Sequence, residues 1–234
     1  MGDRDGSRNL TFGMLETLGR EIVTGHYEGG RFPTEDDLTA RFAVSRTVTR
    51  EAVKMLTAKG LLTARPRAGT TVQPASMWSV FDPDVLRWML ERKLSLDLLR
   101  HFNELRSAIE PQAAALAARA GPSPAYAAIE AGLQRMEEAE RGEDDTLEAD
   151  IAFHIAVLEA SANPFFLQFR DMVATALRTS IRFTNRFKGR SADVPAHRAV
   201  FTAIQAGDPV AARTAMTAII GEVMEFITTA KVKQ

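Results

Sequence analysis

Four times in this chain a capping residue stands directly before a proline: Asp82-Pro83, Ser123-Pro124, Asn163-Pro164 and Asp208-Pro209. Proline costs little at the first helical position, because its missing N–H would have no intrahelical partner there. Asp, Ser or Asn just before it can accept from a free amide of the first turn. Each pair is therefore a helix start, and beyond residue 80 no strand pattern competes with helix. The segments fall at 83–93, 95–119, 124–141, 144–160, 164–187, 194–206 and 209–231, with Pro111 expected to kink or split the second. Helices of this number over ~150 residues can enclose an antiparallel bundle with a buried cavity.

The first third of the chain is patterned differently. Residues 9–25 predict a helix with Leu10, Met14, Leu15, Leu18, Ile22 and Val23 on one side, broken by Gly25 and the Gly29–Gly30 pair. Thr34 and Asp37 have the spacing of a capping box and open a short helix over 35–42. Ala43–Val44 is a turn, and Ser45 is the N-cap of a third helix. That helix, within the run VSRTVTREAVKMLTAK from Val44 to Lys59, sets Val48, Ala52, Val53 and Leu56 on one face; Gly60 stops it. Two extended runs around Arg65-Pro66-Arg67-Ala68-Gly69 then suit a small hairpin. Three helices and a basic hairpin make a winged helix-turn-helix, whose third helix enters the major groove of DNA while the wing reaches phosphate or the minor groove. The expected fold is thus mainly α. A winged head occupies residues 9–74, a linker 75–81, and an all-helical domain 82–231, for which the family resemblance given below implies effector binding and dimerisation.

Charge supports that division. The chain as a whole carries a formal net charge of −1. Yet between Arg41 and Arg67 the basic residues Arg41, Arg46, Arg50, Lys54, Lys59, Arg65 and Arg67 face a single acid, Glu51. From Glu137 to Asp150 acids predominate, with Arg141 alone against them. A concentrated basic segment can bind phosphate while the remainder keeps the protein soluble. A merely solvated basic helix is the competing reading of the third helix. Cysteine is absent, which excludes disulfides and thiolate chemistry. No run of about 18 apolar residues suggests a membrane span, and MGDRDGSRNL lacks a signal-peptide core; a cytoplasmic protein is expected.

These blocks carry a family resemblance. Phe32-Pro-Thr-Glu-Asp-Asp-Leu, Val44-Ser-Arg-Thr-Val-Thr-Arg-Glu-Ala-Val and Gly60-Leu-Leu-Thr-Ala-Arg-Pro-Arg-Ala-Gly-Thr-Thr-Val, in that order, resemble the DNA-binding domain of GntR-family repressors. The resemblance implies that Ser45, Arg46, Thr47 and Arg50 meet double-stranded operator DNA, with wing contacts near Arg65, Arg67 and Gly69. In the fatty-acid-responsive member of the family a second-helix arginine touches DNA; Asp36 stands at that position here, so the operator should differ. Farther on, Phe102-Asn-Glu-Leu-Arg-Ser-Ala-Ile-Glu-Pro, Asp150-Ile-Ala-Phe-His, Ser161-Ala-Asn-Pro, His197-Arg-Ala-Val-Phe-Thr-Ala-Ile and Gly207-Asp-Pro-Val-Ala-Ala-Arg resemble the FCD ligand-binding domain of the FadR subgroup. Asp82-Pro-Asp-Val-Leu-Arg-Trp and Ser180-Ile-Arg-Phe-Thr are most similar to galactonate-type, sugar-acid regulators.

Asp150 and His154 are four residues apart, so on a helix they share a face. With His197 as a distant third donor they form a divalent-metal set; a hydrogen-bonded Asp–His pair is the other use of the same residues. Many FCD domains coordinate a metal through an Asp, the His four residues later and two further histidines. Asp150, His154 and His197 match the first three, and the fourth falls near Ile219, which has no donor. The resemblance implies a divalent metal (Zn, Ni or Mn) on three protein ligands. Arg106 matches a family arginine that points into the cavity and holds an effector carboxylate, and a guanidinium fork suits such an acid. Glu110, four residues on, offers Arg106 a surface salt bridge instead. Arg182 and Asn185 are further pocket candidates, with solvent exposure as the alternative.

The expected function is a ligand-responsive, homodimeric repressor controlling catabolism of a sugar acid or another carboxylate. Two other classes compete. A metal-dependent hydrolase with a DNA-binding head would use the open metal site, although no nucleophile motif or general base is evident. An effector-free architectural DNA-binding protein would need no pocket.

Overall fold

The computed structural model describes residues 3–28, 31–65, 69–92, 96–188 and 193–232. The side chains of 3–8, 65, 91–92, 180–188 and 230–232 lie outside that description. The chain forms two compact units, one ending at Leu94 and one beginning at Ser95.

The first unit contains α1 (Asp3–Val23), α2 (Glu35–Phe42), α3 (Arg46–Ala58), a two-stranded wing of β1 (Leu62–Arg65) and β2 (Gly69–Val72), and α4 (Pro83–Arg92). Local chemistry sets each boundary of the helix-turn-helix. Thr34 and Asp37 form the reciprocal capping box, Thr34 Oγ1 accepting from Asp37 N at 3.2 Å and Asp37 Oδ2 accepting from Thr34 N at 2.9 Å. Ala43 takes the left-handed conformation that turns the chain, and Ser45 Oγ accepts from Val48 N at 3.3 Å to start α3. The apolar faces of α1, α2 and α3 close on Leu18, Leu38, Ala52 and Leu56, each 0% exposed. Leu10 departs from the expected stripe and is 53% exposed, because the core cluster of this unit begins one turn later, at Met14.

Gly60 ends α3 with a φ of +74°, and a Cβ there would lie 2.3 Å from the carbonyl oxygen of Met77. Backbone cannot yield as a flexible side chain can, so both the dihedral and the contact require glycine. Gly60→Ala is expected to destabilise the protein by roughly 2 kcal/mol or more. The denaturant midpoint checks this, and an unchanged midpoint would contradict it.

Helix α4 begins within the stretch assigned from sequence to the second domain, but it packs in the first unit. Trp88 of α4 is fully buried over Gly19 of α1, where a Cβ would meet the indole ring at 2.3 Å. Lys59 Nζ, at the end of α3, donates to Asp82 Oδ2 at 2.7 Å and to Asp84 Oδ2 at 2.9 Å. The compact unit therefore extends past residue 82 to the segment at 93–95.

The second unit is helical throughout its described residues: α5 (Leu96–Ala120), α6 (Pro124–Glu140), α7 (Thr146–Ala160), α8 (Pro164–Leu167), α9 (Arg170–Lys188), α10 (Val194–Gln205) and α11 (Pro209–Val232). Three of the four proline-led starts are capped as expected, Asp82, Asn163 and Asp208 accepting from first-turn amides; Ser123 makes no side-chain cap bond. Helix α5 runs through Pro111 as one element. The helix expected over 164–187 is instead two. Gln168 N and Phe169 N donate three residues back, to Phe165 O at 3.2 Å and Phe166 O at 3.0 Å, and this tighter turn interrupts the α register before α9 starts. Helix α7 is the centre of the bundle: Ala149, Ile151, Phe153, Ala156, Val157, Leu158 and Ala160 are all buried. Among the described residues no helix is long and apolar enough to cross a membrane.

Candidate functional site

In the first unit, Ser45, Arg46, Thr47 and Arg50 line the exposed N-terminal side of α3. The side chains of Arg46 and Arg50 are 72% and 68% exposed. Arg46 Nη2 lies 3.3 Å from Asp36 Oδ1, and Arg50 Nε donates to Glu35 Oε2 at 3.0 Å. Asp36, the departure from the fatty-acid-responsive regulator noted above, thus faces the third helix. Such exposed pairs contribute little and exchange readily for phosphate. The other basic residues divide. Arg41 is bound to Glu21, its Nη1 donating to Oε2 at 2.9 Å, and Lys59 is held by Asp82 and Asp84, so neither is available to DNA as it stands. Gly69 is described and exposed, opening β2 opposite Arg65. Arg67 lies outside the described residues, as do the side chains of Arg65, Arg182 and Asn185.

In the second unit, close helix packing positions the buried donors. Gly132 of α6 sits where a Cβ would come within 2.9 Å of Phe153 Cα, so the two backbones meet and α7 is pressed inward. Phe153 then packs edge-on to His154 and His197, at 5.8 and 5.0 Å between ring centroids. Asp150 and His154 project from α7, and His197 comes from the first turns of α10, whose start is capped by Asp193. The three are 5%, 1% and 2% exposed.

Their donor atoms converge. Asp150 Oδ1 lies 3.0 Å from His197 Nε2 and 3.7 Å from His154 Nε2, and the two Nε2 atoms are 3.4 Å apart. Donors about 2.0–2.2 Å from one tetrahedral or octahedral cation would be separated by roughly 3 to 3.5 Å. The donor set fits a divalent metal. Among the described residues this Asp150–His154–His197 group is the one able to hold such an ion. His197 is oriented for the same purpose, because Nδ1 lies 2.6 Å from the carbonyl oxygen of Asp193, which only an N–H can satisfy, so that once Nε2 gives up its proton it would present a lone pair to the cation. Ile219 is a buried core residue of α11 and offers no donor.

Arg106 does not stand open. Its guanidinium is 2% exposed, with Nε donating to Glu110 Oε1 at 2.5 Å, Nη2 to Glu110 Oε2 at 3.3 Å and Nη1 to Asn103 Oδ1 at 3.2 Å. The Arg106–Glu110 bridge read from sequence as a surface salt bridge is therefore a buried one. The sequence offers Glu110 only as a partner of Arg106, with no link to His154, and gives no sign of Asn103. The available signal was that Glu110 shares a face with Arg106 in a helix that continues into the buried alanines 113–115.

The electrostatics tie these groups together. Burial pushes the Glu110 carboxyl up, but Arg106 and His154 outweigh it and bring the pKa down to about 2. Burial likewise opposes ionisation of Asp150, while the hydrogen bond from His197 and the neighbouring His154 and Arg106 hold it below the ordinary carboxylate value. For His197, burial favours the neutral ring, yet the bond to Asp150 and its charge raise the pKa above the usual value.

A winged helix-turn-helix followed by a helical domain with a buried carboxylate–imidazole centre defines a regulator that reads DNA with one part and takes a ligand with another. The chain belongs to the gntR family of bacterial regulatory proteins, whose profile matches residues 14–72, and it carries an FCD domain over residues 102–222. It is 35% identical over 216 residues to the uncharacterized HTH-type transcriptional regulator YieP of Escherichia coli, covering 91% of this chain and 93% of that protein. It is also 35% identical over 217 residues to the galactonate operon transcriptional repressor of the same organism, covering 91% and 94%. Among solved structures, E. coli McbR/YncC superposes with a TM-score of 0.55 at 16% identity, over 95% of this chain and 98% of that one, which is a likeness of fold.

Proposed function

We propose that this regulator is a cytoplasmic, homodimeric repressor, not an enzyme, that releases its operator when a sugar acid or similar carboxylate binds beside a divalent metal in the helical domain. The convergence of Asp150 Oδ1, His154 Nε2 and His197 Nε2 in a buried core carries this reading, supported by the likeness to a galactonate operon repressor. With three protein donors, a bound cation keeps open positions, where as a Lewis acid it would take an oxygen of the effector's carboxylate or hydroxyl. Zn, Ni and Mn are the candidate ions for this donor set. Arg106 can take an effector carboxylate only by exchanging Glu110 for it; Arg182 and Asn185 remain further candidates. At the other end, Ser45, Arg46, Thr47 and Arg50, with Arg65, Arg67 and Gly69 of the wing, are the proposed DNA contacts, and a dimer would set two such heads on a palindromic operator.

Screening aldonic, uronic and hydroxy acids by thermal shift on zinc-loaded protein tests the reading. An acid at about 100 times its Kd should add roughly 2.7 kcal/mol, several degrees in Tm. The same acid should release operator DNA in a gel shift and emerge chemically unchanged. No stabilising acid, or one that leaves DNA binding untouched, would remove the effector from the proposal, and turnover would make the protein an enzyme.

A further inference from the structure

Beside the Asp150–His154–His197 donors lies a second buried carboxylate. Glu110 is 1% exposed on α5, and its carboxylate meets two partners. Oε1 accepts from Arg106 Nε at 2.5 Å, while Oε2 accepts from Arg106 Nη2 at 3.3 Å and lies 2.5 Å from His154 Nδ1. The Nδ1 contact is a close approach short of an aligned hydrogen bond, and among the described residues Nδ1 has no hydrogen-bond partner. Behind it, Arg106 is fixed by Asn103, whose Nδ2 donates to Leu99 O at 2.8 Å. The chain of contacts therefore runs from the α5 backbone through Asn103, Arg106 and Glu110 to the imidazole of His154.

We infer that Glu110 is the positioning carboxylate of the metal centre: it holds the proton of His154 on Nδ1, so that Nε2 faces Asp150 and His197 as a lone pair. Without Glu110 the nearby carboxylate would be Asp150, 3.7 Å from Nε2, and it would draw the ring proton to the nitrogen that must face the metal. With a carboxylate at Nδ1 the proton stays there, and the ring becomes a stronger donor at Nε2. Both histidines then follow one plan, since His197 presents Nδ1 to the Asp193 carbonyl. Arg106 acts one step farther out. Its charge keeps Glu110 ionised in a buried environment, and the fork fixes the carboxylate in the plane it needs. This inference rests on the metal reading above, and it gives Arg106 a function in the protein before any effector arrives.

The test is metal affinity in the full-length protein, measured by chelator competition with Zn2+, together with the visible spectrum of the Co2+-substituted form. Glu110→Gln should weaken Zn2+ binding by about 10- to 100-fold and alter the Co2+ bands, as loss of a supporting carboxylate does. Because Glu110→Gln leaves Arg106 buried and unpaired, the double variant Arg106→Gln/Glu110→Gln removes both charges and keeps the core neutral. It should fold like the parent by circular dichroism while retaining the weakened affinity and the altered spectrum. Parental Zn2+ affinity and an unchanged Co2+ spectrum in the double variant would reduce Glu110 to the structural partner of Arg106 and overturn the inference. A parent protein that binds neither ion would instead dispose of the metal reading, and the inference with it.

Discussion

Replacing Arg46 and Arg50 together by alanine should weaken operator binding by about 2 to 6 kcal/mol, roughly thirty-fold to ten-thousand-fold, at fixed salt. Both side chains are more than two-thirds exposed at the start of α3, where a recognition helix meets base edges. Their pairs with Asp36 and Glu35 subtract little, because an exposed ion pair is worth at most about 1 kcal/mol. Anisotropy titration at several salt concentrations separates the two roles the arginines can play. If an arginine neutralises a phosphate, its removal should flatten the slope of log K against log salt by about 0.9 per charge. If it reads a base edge, its removal should relax discrimination between operator and unrelated DNA at nearly constant slope. Unchanged affinity in the double variant would remove α3 as the reading helix.

Asp150→Ala and His197→Ala should each reduce bound zinc to a small fraction of the parent's content after gel filtration, measured by elemental analysis. Of the three donors Asp150 is the anionic one and His197 one of two neutral ones, so neither loss is made up by Ile219. Equal metal content would show that the ion is held elsewhere. Proton competition gives the same centre a pH signature. His197 titrates above the ordinary 6.5 of a histidine because protonated it pairs with Asp150. In the metal-free protein that pair stabilises the fold fully below 6.5 and is lost as pH rises through the raised value. For Asp150, with its pKa lowered, the contribution is present above the ordinary 3.8 and disappears as pH falls through the lowered value. A metal needs the His197 proton removed. The rise in Tm on adding zinc should therefore grow as pH rises above the ordinary 6.5, while the His197–Asp150 contribution to the Tm of the metal-free protein falls over the same rise. A zinc-induced shift independent of pH would exclude His197 as a ligand.

The sequence shows the helices well where local chemistry decides them. Thr34, Asp37, Ser45, Asp82, Asn163 and Asp208 announce helix starts through bonds made within a few residues, and all six make them. The Asp150–His154 pair is legible for a related reason: in TLEADIAFHIAVLEA both residues stand in the apolar middle of the helix, where a buried polar side chain must find a partner, whereas Glu148 and Glu159 near its ends stay in contact with solvent. What depends on partners distant in sequence is not legible. Lys59 looks like one more basic residue of α3 until Asp82 and Asp84 are folded against it. Glu110 pairs with Arg106 at i+4 in either reading, and only burial separates a surface bridge from the support of an imidazole on another helix. The break between α8 and α9 follows from a change in hydrogen-bond register at Gln168 and Phe169 that no proline or glycine marks.

Helix α4 bears on how heads of this kind can be exchanged between regulators. A cut at residue 74, where the wing ends, would strip Trp88 from its seat on Gly19 and leave the Lys59 ammonium without Asp82 and Asp84. The smallest transplantable cassette is then not the winged motif but the motif with α4 attached, joined to its new host at residues 93–95. Recombination that respected this seam would keep an intact hydrophobic core on the DNA side of the splice, whatever ligand the grafted bundle recognised.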